Sequence, residues 1–372
     1  MVKAILAFSI FLVLYLVFWP TDIEPQKWEP TANPGFTGVY TQNELLKAIK
    51  VYSTDGYGPE DLAVKNGWAY MGLVGGRIIR LQLDTGLRED YANTQGRPLG
   101  LAWDPAGNLL VADAYKGLLR VFGPGKIEVL ATESDGVAFG FTDDVDVGSD
   151  GVIYFTDASK KFSQDSFQVD ALEHRPNGRL LSYDPSTRQT KTLLDGLYFP
   201  NGVAVGVDGR FLLFNETWEY RVNRYWLKGP KAGTVEVLID HLPGFPDGIS
   251  RGADGVFWLA LASPRSKVID LFAPFPALRK AFARLPRFLW PKEEPYSGVF
   301  GIDSNGDIKY NFQDPSGSKL QTITSVEEFD GKLYLGSLTE SKFGVYTPIV
   351  DTSVDNDTGK PQTDSGLNHG AM

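Results

Sequence analysis

The chain has 372 residues, a formal net charge of −10 and a pI near 4.9, and 42% of its residues are apolar, as in globular proteins. So acidic a chain, with no basic stripe, argues against nucleic acid as a partner. The chain has no cysteine, which excludes disulfides and thiolate sites. It has only three histidines (His174, His241 and His369), so there are few candidates for a histidine-dependent catalytic triad.

The first twenty residues, MVKAILAFSIFLVLYLVFWP, are apolar between Lys3 and Trp19. A spanning helix needs about 20 apolar residues, so segment 1–20 is predicted to be an uncleaved signal anchor that forms a transmembrane helix. A cleaved signal peptide is the alternative, although no A-x-A-like site follows. Lys3 predicts that the rest of the chain lies on the extracytoplasmic side, whether periplasmic, lumenal or extracellular. Residues 21–36 are predicted to be a linker.

Six segments then repeat one pattern of strand, tight turn with glycine, and strand: LAVKNGWAYMGL, LAWDPAGNLLVAD, VDVGSDGVIYFTD, VAVGVDGRFLLFNET, ISRGADGVFWLAL and VEEFDGKLYLGSL. The Asn-Gly and Asp-Gly pairs predict two-residue hairpin turns with positive φ at both central residues. Four-stranded units that recur about every 40–45 residues are typical of propeller blades. The sequence therefore predicts an all-β protein, a six-bladed β-propeller over residues 37–347.

Two long spacings between the repeats mark insertions at 159–178 and 264–295. The second, in blade five, is predicted to be helical, because apolar and basic residues alternate at helical spacing over 277–288. Such a helix suits a lid over the mouth of the propeller or a membrane surface. The polar tail, residues 348–372, is predicted to be disordered.

In a propeller, the residues just before each innermost strand converge at one mouth of the central channel. Four of these positions carry oxygen ligands: Glu60, Asp143, Asn201 and Asp247. Three carboxylates placed together repel one another unless a cation lies among them. Such ligands suit Ca²⁺, with Mg²⁺ or Mn²⁺ as alternatives. Each residue alone would be interpreted as an ordinary turn residue, but four equivalent positions favour a site.

The remaining acids of the repeats have structural interpretations. Asp150 and Asp208 lie at hairpin turns, where aspartate is favoured for backbone reasons. Asp113 and Asp157 end the second strand of their hairpins and are predicted to form hydrogen bonds at the blade corners. Asp146 is predicted to be a polar residue of the channel or strand.

The segments RPLGLAWDPAGNLLVADAYKGLLRV, FTDDVDVGSDGVIYFTDASKKF, FPNGVAV, LPGFPDGIS and DGKLYLGSL resemble the strictosidine synthase-like family, over roughly residues 56–346. That family is similar to paraoxonases, gluconolactonases and regucalcin, which are calcium-dependent propellers that hydrolyse esters and lactones. The resemblance implies a catalytic calcium at Glu60, Asp143, Asn201 and Asp247, with Asp143 in place of a family asparagine.

The resemblance also identifies two departures from the related enzymes. Leu99 occupies the position of the paraoxonase histidine, so a histidine mechanism is not expected. Thr324 occupies the position of the glutamate base of strictosidine synthase, with Glu327 and Glu328 out of register, which argues against that condensation.

The function expected from the sequence is a membrane-anchored, metal-dependent esterase or lactonase. Its partners would be a small ester or lactone substrate and a membrane. Glu60 or Asp143 would activate the attacking water, while Asp61 and Asp144 would support the ligands or hold a second ion. The alternatives are a condensing lyase of the strictosidine synthase kind and a propeller that only binds a ligand or partner.

Overall fold

The computed structural model describes residues 1–290 and 294–348, in which six four-stranded antiparallel sheets are arranged as blades. Blade one contains Leu62–Lys65, Trp68–Gly72, Arg77–Gln82 and Arg88–Asn93. Blade two contains Pro98–Trp103, Leu109–Asp113, Gly117–Val121 and Ile127–Ala131. Blade three contains Thr142–Val147, Ile153–Asp157, Gly178–Asp184 and Gln189–Leu197.

The other three blades follow the same order from the innermost strand outward. Blade four contains Pro200–Val205, Phe211–Glu216, Arg221–Trp226 and Val235–Ile239. Blade five contains Gly244–Arg251, Phe257–Pro264, Ser297–Ile302 and Ile308–Asp314. Blade six contains Ile323–Phe329, Lys332–Ser337, Lys342–Tyr346 and, as its outer strand, Lys50–Ser53. The predicted all-β, six-bladed propeller is therefore confirmed.

Blade six closes the ring, because its outer strand comes from the beginning of the propeller and its other strands from the end. Lys50–Ser53 runs antiparallel to Lys342–Tyr346, and Ser53 lies opposite Lys342. The rings of Tyr52 and Phe343 stack across this junction with their centroids 5.3 Å apart. The sequence analysis did not identify this closing strand.

Apolar side chains fill the space between neighbouring blades, because the second strand of each blade is buried on both faces. Val111 and Leu119 of blade two, for example, belong to one buried cluster with Ala63 and Ile78 of blade one. Burying such a side chain fully contributes about 1.5–3 kcal/mol. These layers hold the innermost strands in a ring around the channel.

The hairpin turns differ in part from the prediction. Both central residues have positive φ in the turns at Asn66–Gly67, 254–255 and 330–331. In the turns at Gly107, Gly151 and Gly209 only the glycine has a positive φ, and each glycine N–H donates to the carbonyl three residues earlier. These longer turns place glycine in the left-handed position after a type I turn. The predicted turn role of Asp150 and Asp208 is confirmed, because their carboxylates accept the backbone N–H two residues later.

Helices occur at the N-terminus and in the two insertions. They are α1 (Val2–Phe18), α2 (Phe167–Glu173), α3 (Lys267–Phe272) and α4 (Pro276–Ala283). Short 3₁₀ turns connect several strands: Gly38–Tyr40, Leu45–Ala48, Gln164–Ser166, Thr217–Glu219, Ala253–Gly255 and Arg287–Leu289. A small hairpin pairs Glu133–Ser134 with Val137–Ala138. The predicted disordered tail lies outside the described residues from residue 349 onward.

The N-terminal helix corrects the prediction of a transmembrane helix over 1–20. Helix α1 has 17 residues, which corresponds to about 26 Å at about 1.5 Å per residue, whereas a bilayer core is about 30 Å thick. No helix within residues 1–290 and 294–348 has the length and apolar character needed to cross a membrane.

Candidate functional site

The predicted ring residues lie together because the innermost strands share one irregularity. The strands of blades two to six each have a shift in register near their start. A bulge of this kind interrupts strand pairing and changes the direction of a side chain. The residues at the register shift of blades two to six line a single cavity, and so does Glu60, which precedes the innermost strand of blade one. The six residues are Glu60, Leu99, Asp143, Asn201, Asp247 and Thr324. The structure therefore places all four predicted oxygen ligands in one site, here called the hub.

The cavity above the hub has a volume of about 420 Å³, and most of its wall is apolar. Helix α2 contributes Phe167 and Leu172, and residues from the second insertion cover the opposite side. Residues 264–290 of that insertion are called the lid below. Apolar and aromatic residues form the wall: Phe141, Phe199, Trp218, Phe245, Ile269, Phe272, Phe282 and Trp290. A ligand would thus meet a polar floor beneath an apolar chamber.

The hub carboxylates are strongly perturbed by their surroundings. Glu60 and Asp143 are only 6% and 5% exposed. Burial, together with the negative charges of Asp247 and Asp143, raises the pKa of Glu60 well above its usual value. Burial raises the pKa of Asp143 to about 8, although the nearby Arg97 guanidinium opposes this shift. A positive charge placed among these carboxyl groups would therefore stabilise their ionised form.

Three buried polar atoms at the hub lack hydrogen-bond partners within the described structure. Asp143 Oδ2 is buried without a partner, and so are Nε and Nη2 of Arg97. Arg97 is 1% exposed, and its Nη1 donates to Gly58 O at 2.8 Å. The sequence analysis missed Arg97, although the arginine of the quoted segment RPLG stands just two residues before Leu99.

Hydrogen bonds from the preceding blade fix the backbone at three of the hub residues. Thr156 Oγ1 donates to Asn201 O at 2.8 Å and accepts from Asp144 N at 3.0 Å. The Asn215 amide donates to Asp247 O. The hydroxyls of Thr324 and Ser325 donate to Glu60 O; these bonds are 2.7 and 2.8 Å long. Sequence reasoning missed these positioning residues, even though Thr156 and Asn215 occupy equivalent places in the repeat.

Asp61 and Asp144 connect neighbouring innermost strands. Asp61 accepts Leu101 N–H at 2.7 Å, and Asp144 accepts Val203 N–H at 2.7 Å. The other oxygen of each carboxylate accepts the N–H of the next residue in its own strand. Asp146 makes the same kind of bridge to Val205. These carboxylates support the strands that carry the hub, and a second ion at Asp61 and Asp144 stays a prediction.

Asp113 and Asp157 form the hydrogen bonds that were predicted at the blade corners. Asp113 Oδ1 accepts the backbone N–H of Arg97 at 2.9 Å, and Asp157 Oδ1 accepts that of Phe141, also at 2.9 Å. Asp157 Oδ2 also forms an ion pair with the buried Arg179 at 2.6 Å. These bonds attach the segment that enters each blade to the end of its second strand.

The donor chemistry of the hub fits a hard divalent cation, because three carboxylates and one amide meet where a buried carboxylate oxygen lacks a partner. In the described part of the chain, however, no group of three or more histidine, aspartate or glutamate side chains is arranged to hold a metal ion. The four residues therefore share a cavity, and their role as ligands stays a prediction.

No histidine of the described residues lines the cavity, and Leu99 is buried at the floor. His174 lies at the end of α2, where its Nε2 is 2.9 Å from Glu219 Oε1 and its ring stacks on Trp28. His241 is exposed beside Asp240. His369 lies outside the described residues.

The predicted linker, here called the strap (residues 21–36), lies against both insertions. Ile23 is fully buried with Phe162 and Leu172. Trp28 N donates to Ala273 O in the lid at 3.3 Å. Arg279 of the lid donates to Leu172 O at 3.1 Å and also to Gln26 O. The strap thus connects the two insertions that form the walls of the cavity.

Comparison with solved structures supports the fold. The chain superimposes on a gluconolactonase from Xanthomonas campestris with a TM-score of 0.59 at 16% identity, covering 88% of this chain and 99% of that one. For a calcium-binding protein, regucalcin, from Agrobacterium tumefaciens, the TM-score is 0.54 at 14% identity, covering 86% and 95% of the two chains.

Sequence comparisons identify the family. The strictosidine synthase model matches residues 143–230, and the N-terminal model of strictosidine synthase-like proteins matches residues 38–81. Protein STRICTOSIDINE SYNTHASE-LIKE 6 of Arabidopsis thaliana is 40% identical over 291 residues, which are 76% of this chain and 77% of the relative. Adipocyte plasma membrane-associated protein of Bos taurus is 33% identical, over 91% of this chain and 87% of the relative. With its propeller fold and these matches, the chain belongs to the strictosidine synthase-like family.

Proposed function

We propose that this protein hydrolyses esters or lactones with the help of a divalent cation at the hub. One observation carries the proposal: four oxygen-bearing side chains from four different blades form the polar floor of an otherwise apolar cavity. A ligand with an apolar body and one polar carbonyl group matches this division. The gluconolactonase-like fold is consistent with the proposal.

Glu60, Asp143, Asn201 and Asp247 are the residues that would hold the cation. When bound, Ca²⁺ would polarise the substrate carbonyl and stabilise the negative charge that develops on its oxygen. The partnerless Oδ2 of Asp143 supports this assignment, because a buried carboxylate oxygen otherwise has no compensation for the loss of water.

Glu60 and Asp143 are the candidates for the general base. Burial raises the pKa of both carboxyl groups, whereas a cation bound among them would favour the ionised form, in which either group could accept a proton. The base would take a proton from the attacking water as the water oxygen bonds to the carbonyl carbon. The same proton would then pass to the departing alkoxide as the ester C–O bond breaks.

The test is an assay of the full chain on phenyl acetate and a panel of lactones, first with CaCl₂ and then with a chelator. We expect the chelator to abolish turnover, and we expect Asp247→Asn to lower kcat/KM at least about 100-fold, as for loss of a group that stabilises the transition state. Asp208→Asn is the matched control, because Asp208 is an exposed aspartate of a hairpin turn. Calcium calorimetry on the same proteins reports ion binding separately.

Ion binding without turnover on any substrate would favour a propeller that only binds a ligand, and absence of any bound divalent ion would overturn the proposal. The condensing alternative is tested by adding an arylethylamine and an aldehyde to the panel. Thr324 argues against it: its hydroxyl is committed to Glu60 O at 2.7 Å, and it offers no carboxylate to deprotonate an amine.

A further inference from the structure

The lid is apolar on both of its faces. Its inner side chains, such as Ile269 and Phe272, line the cavity. Its outer side chains face water, with exposed fractions between 49% and 82%: Leu271, Phe275, Leu278, Phe288 and Leu289. These five residues are called the lid face. A soluble protein rarely exposes such a run of large apolar side chains unless the surface has a partner.

Helix α1 extends this apolar surface. Arg284 of the lid donates from Nη1 to Leu16 O at 2.8 Å, and Tyr15 Oη donates to Arg284 O at 2.9 Å. These bonds hold the end of α1 against α4. None of the side chains of α1 is buried in the protein, although nearly all of them are apolar. The lid face and α1 therefore present their apolar side chains side by side.

The charge of the lid is opposite to that of the whole chain. Between residues 264 and 290 there are six cations and a single acid, Asp270, although the chain as a whole has a net charge of −10. Arg265 and Arg279 are buried. The other four cations are exposed or partly exposed and lie near the lid-face residues in sequence: Lys267, Lys280, Arg284 and Arg287. Lys267 also lines the cavity. An apolar face flanked by cations complements an anionic lipid surface, where apolar groups enter the headgroup region and cations pair with phosphates.

We propose that the lid face docks on the surface of an anionic phospholipid bilayer. The protein would lie on the membrane through the lid, with α1 lying along the same interface. Because the inner side of the lid forms a wall of the cavity, docking would bring the cavity next to the lipid phase. Apolar substrates dissolved in the bilayer would then have a short path to the hub.

The test is vesicle flotation of the full chain with phosphatidylcholine vesicles that contain or lack 30% phosphatidylglycerol. We expect the double variant Phe288→Asp/Leu289→Asp to reduce partitioning at least about tenfold, because two large apolar side chains no longer leave water. We expect Lys280→Glu/Arg287→Glu to remove the preference for the anionic vesicles, and added salt to weaken that preference in the unmodified chain.

The matched control is Phe122→Asp/Val207→Asp, which changes two exposed apolar residues far from the lid in sequence. Equal partitioning of the lid-face double variant and this control would overturn the proposal, since binding would then depend on α1 alone. The proposal would also be overturned if light scattering showed a dimer that the lid-face variant dissociates, while vesicle binding stays unchanged. Flotation uses no substrate, so its result is independent of the proposed hydrolysis.

Discussion

At the scale of single residues, the hub depends on side chains that do not line the cavity. Thr156 is fully buried and joins the backbones of Asp144 and Asn201 through one hydroxyl. Asn215 occupies the equivalent position in the next blade, where its amide donates to Asp247 O. The equivalent residue of blade two is Ala112, which can form no such bond. The backbone at Asp143 therefore lacks this side-chain support from the preceding blade.

We expect Thr156→Val to lower the free energy of unfolding by about 1–3 kcal/mol. The substitution keeps the shape of the side chain but leaves a buried N–H and a buried carbonyl without their partner. Thr156→Ser keeps the hydroxyl and is the control. Urea denaturation in the presence of a chelator measures the effect without interference from ion binding. Equal stability of the valine and serine variants would contradict the positioning role.

At the scale of elements, the strap and α2 meet at a buried histidine. His174 ends α2 in the left-handed conformation, stacks on Trp28 of the strap and contacts Glu219. Burial lowers the pKa of His174 below its ordinary value despite the hydrogen bond to Glu219. The folded protein therefore keeps this imidazole neutral at a pH where the unfolded chain already binds a proton.

The contribution of His174 to stability should accordingly fall as the pH drops through about 6.5, the pKa of histidine in the unfolded chain, and level off below the folded pKa. The slope from this one group is at most about 1.4 kcal/mol per pH unit. His174→Asn should flatten the dependence between pH 7.5 and 5.5, since asparagine tolerates the left-handed conformation and does not titrate there. Denaturation midpoints across this range provide the measurement. His241→Asn, at an exposed site, should leave the slope unchanged; an unchanged slope in His174→Asn would refute the assignment.

At the scale of the whole molecule, the ring is closed by four residues at the start of the propeller that pair with its last strand. Opening this junction would free one edge of blade six and separate Tyr52 from Phe343. The closing contact joins residues roughly 290 positions apart, so it is a costly contact to form in terms of chain entropy.

A disulfide at this junction should stabilise the propeller. Ser53 and Lys342 lie directly opposite each other, which places their Cα atoms about 4.5–5.5 Å apart, within the range for a disulfide. We expect Ser53→Cys/Lys342→Cys to raise the free energy of unfolding by about 2–5 kcal/mol when oxidised, and the gain to vanish on reduction. The chain has no cysteine of its own, so no other disulfide competes. Lys50→Cys/Lys342→Cys, three residues out of register, is the control. If the matched pair gains no more stability than the control, closure is not the weak point of the ring.

Much of the fold and part of the site could be predicted from the sequence, because both depend on short patterns. Strand, turn and strand recur six times, and the repeat places equivalent residues at equivalent points of the ring. Glu60, Asp143, Asn201 and Asp247 were therefore identified together, and the cavity contains all four. The roles of Asp113, Asp150, Asp157 and Asp208 followed from local turn and strand-end chemistry in the same way.

The tertiary structure alone decided the features that join distant parts of the chain. No local periodicity in the sequence reveals the closing strand, the contacts of the strap with the insertions or the apolar wall above the hub. Thr156 and Arg97 acquire their roles from neighbours on another blade or at the end of another strand. The sequence by itself determined the repeating propeller and which four oxygen-bearing side chains meet at its hub, since these follow from local spacing. Only long-range packing determined what encloses the hub, because burial and side-chain partners arise when segments far apart in the chain come into contact.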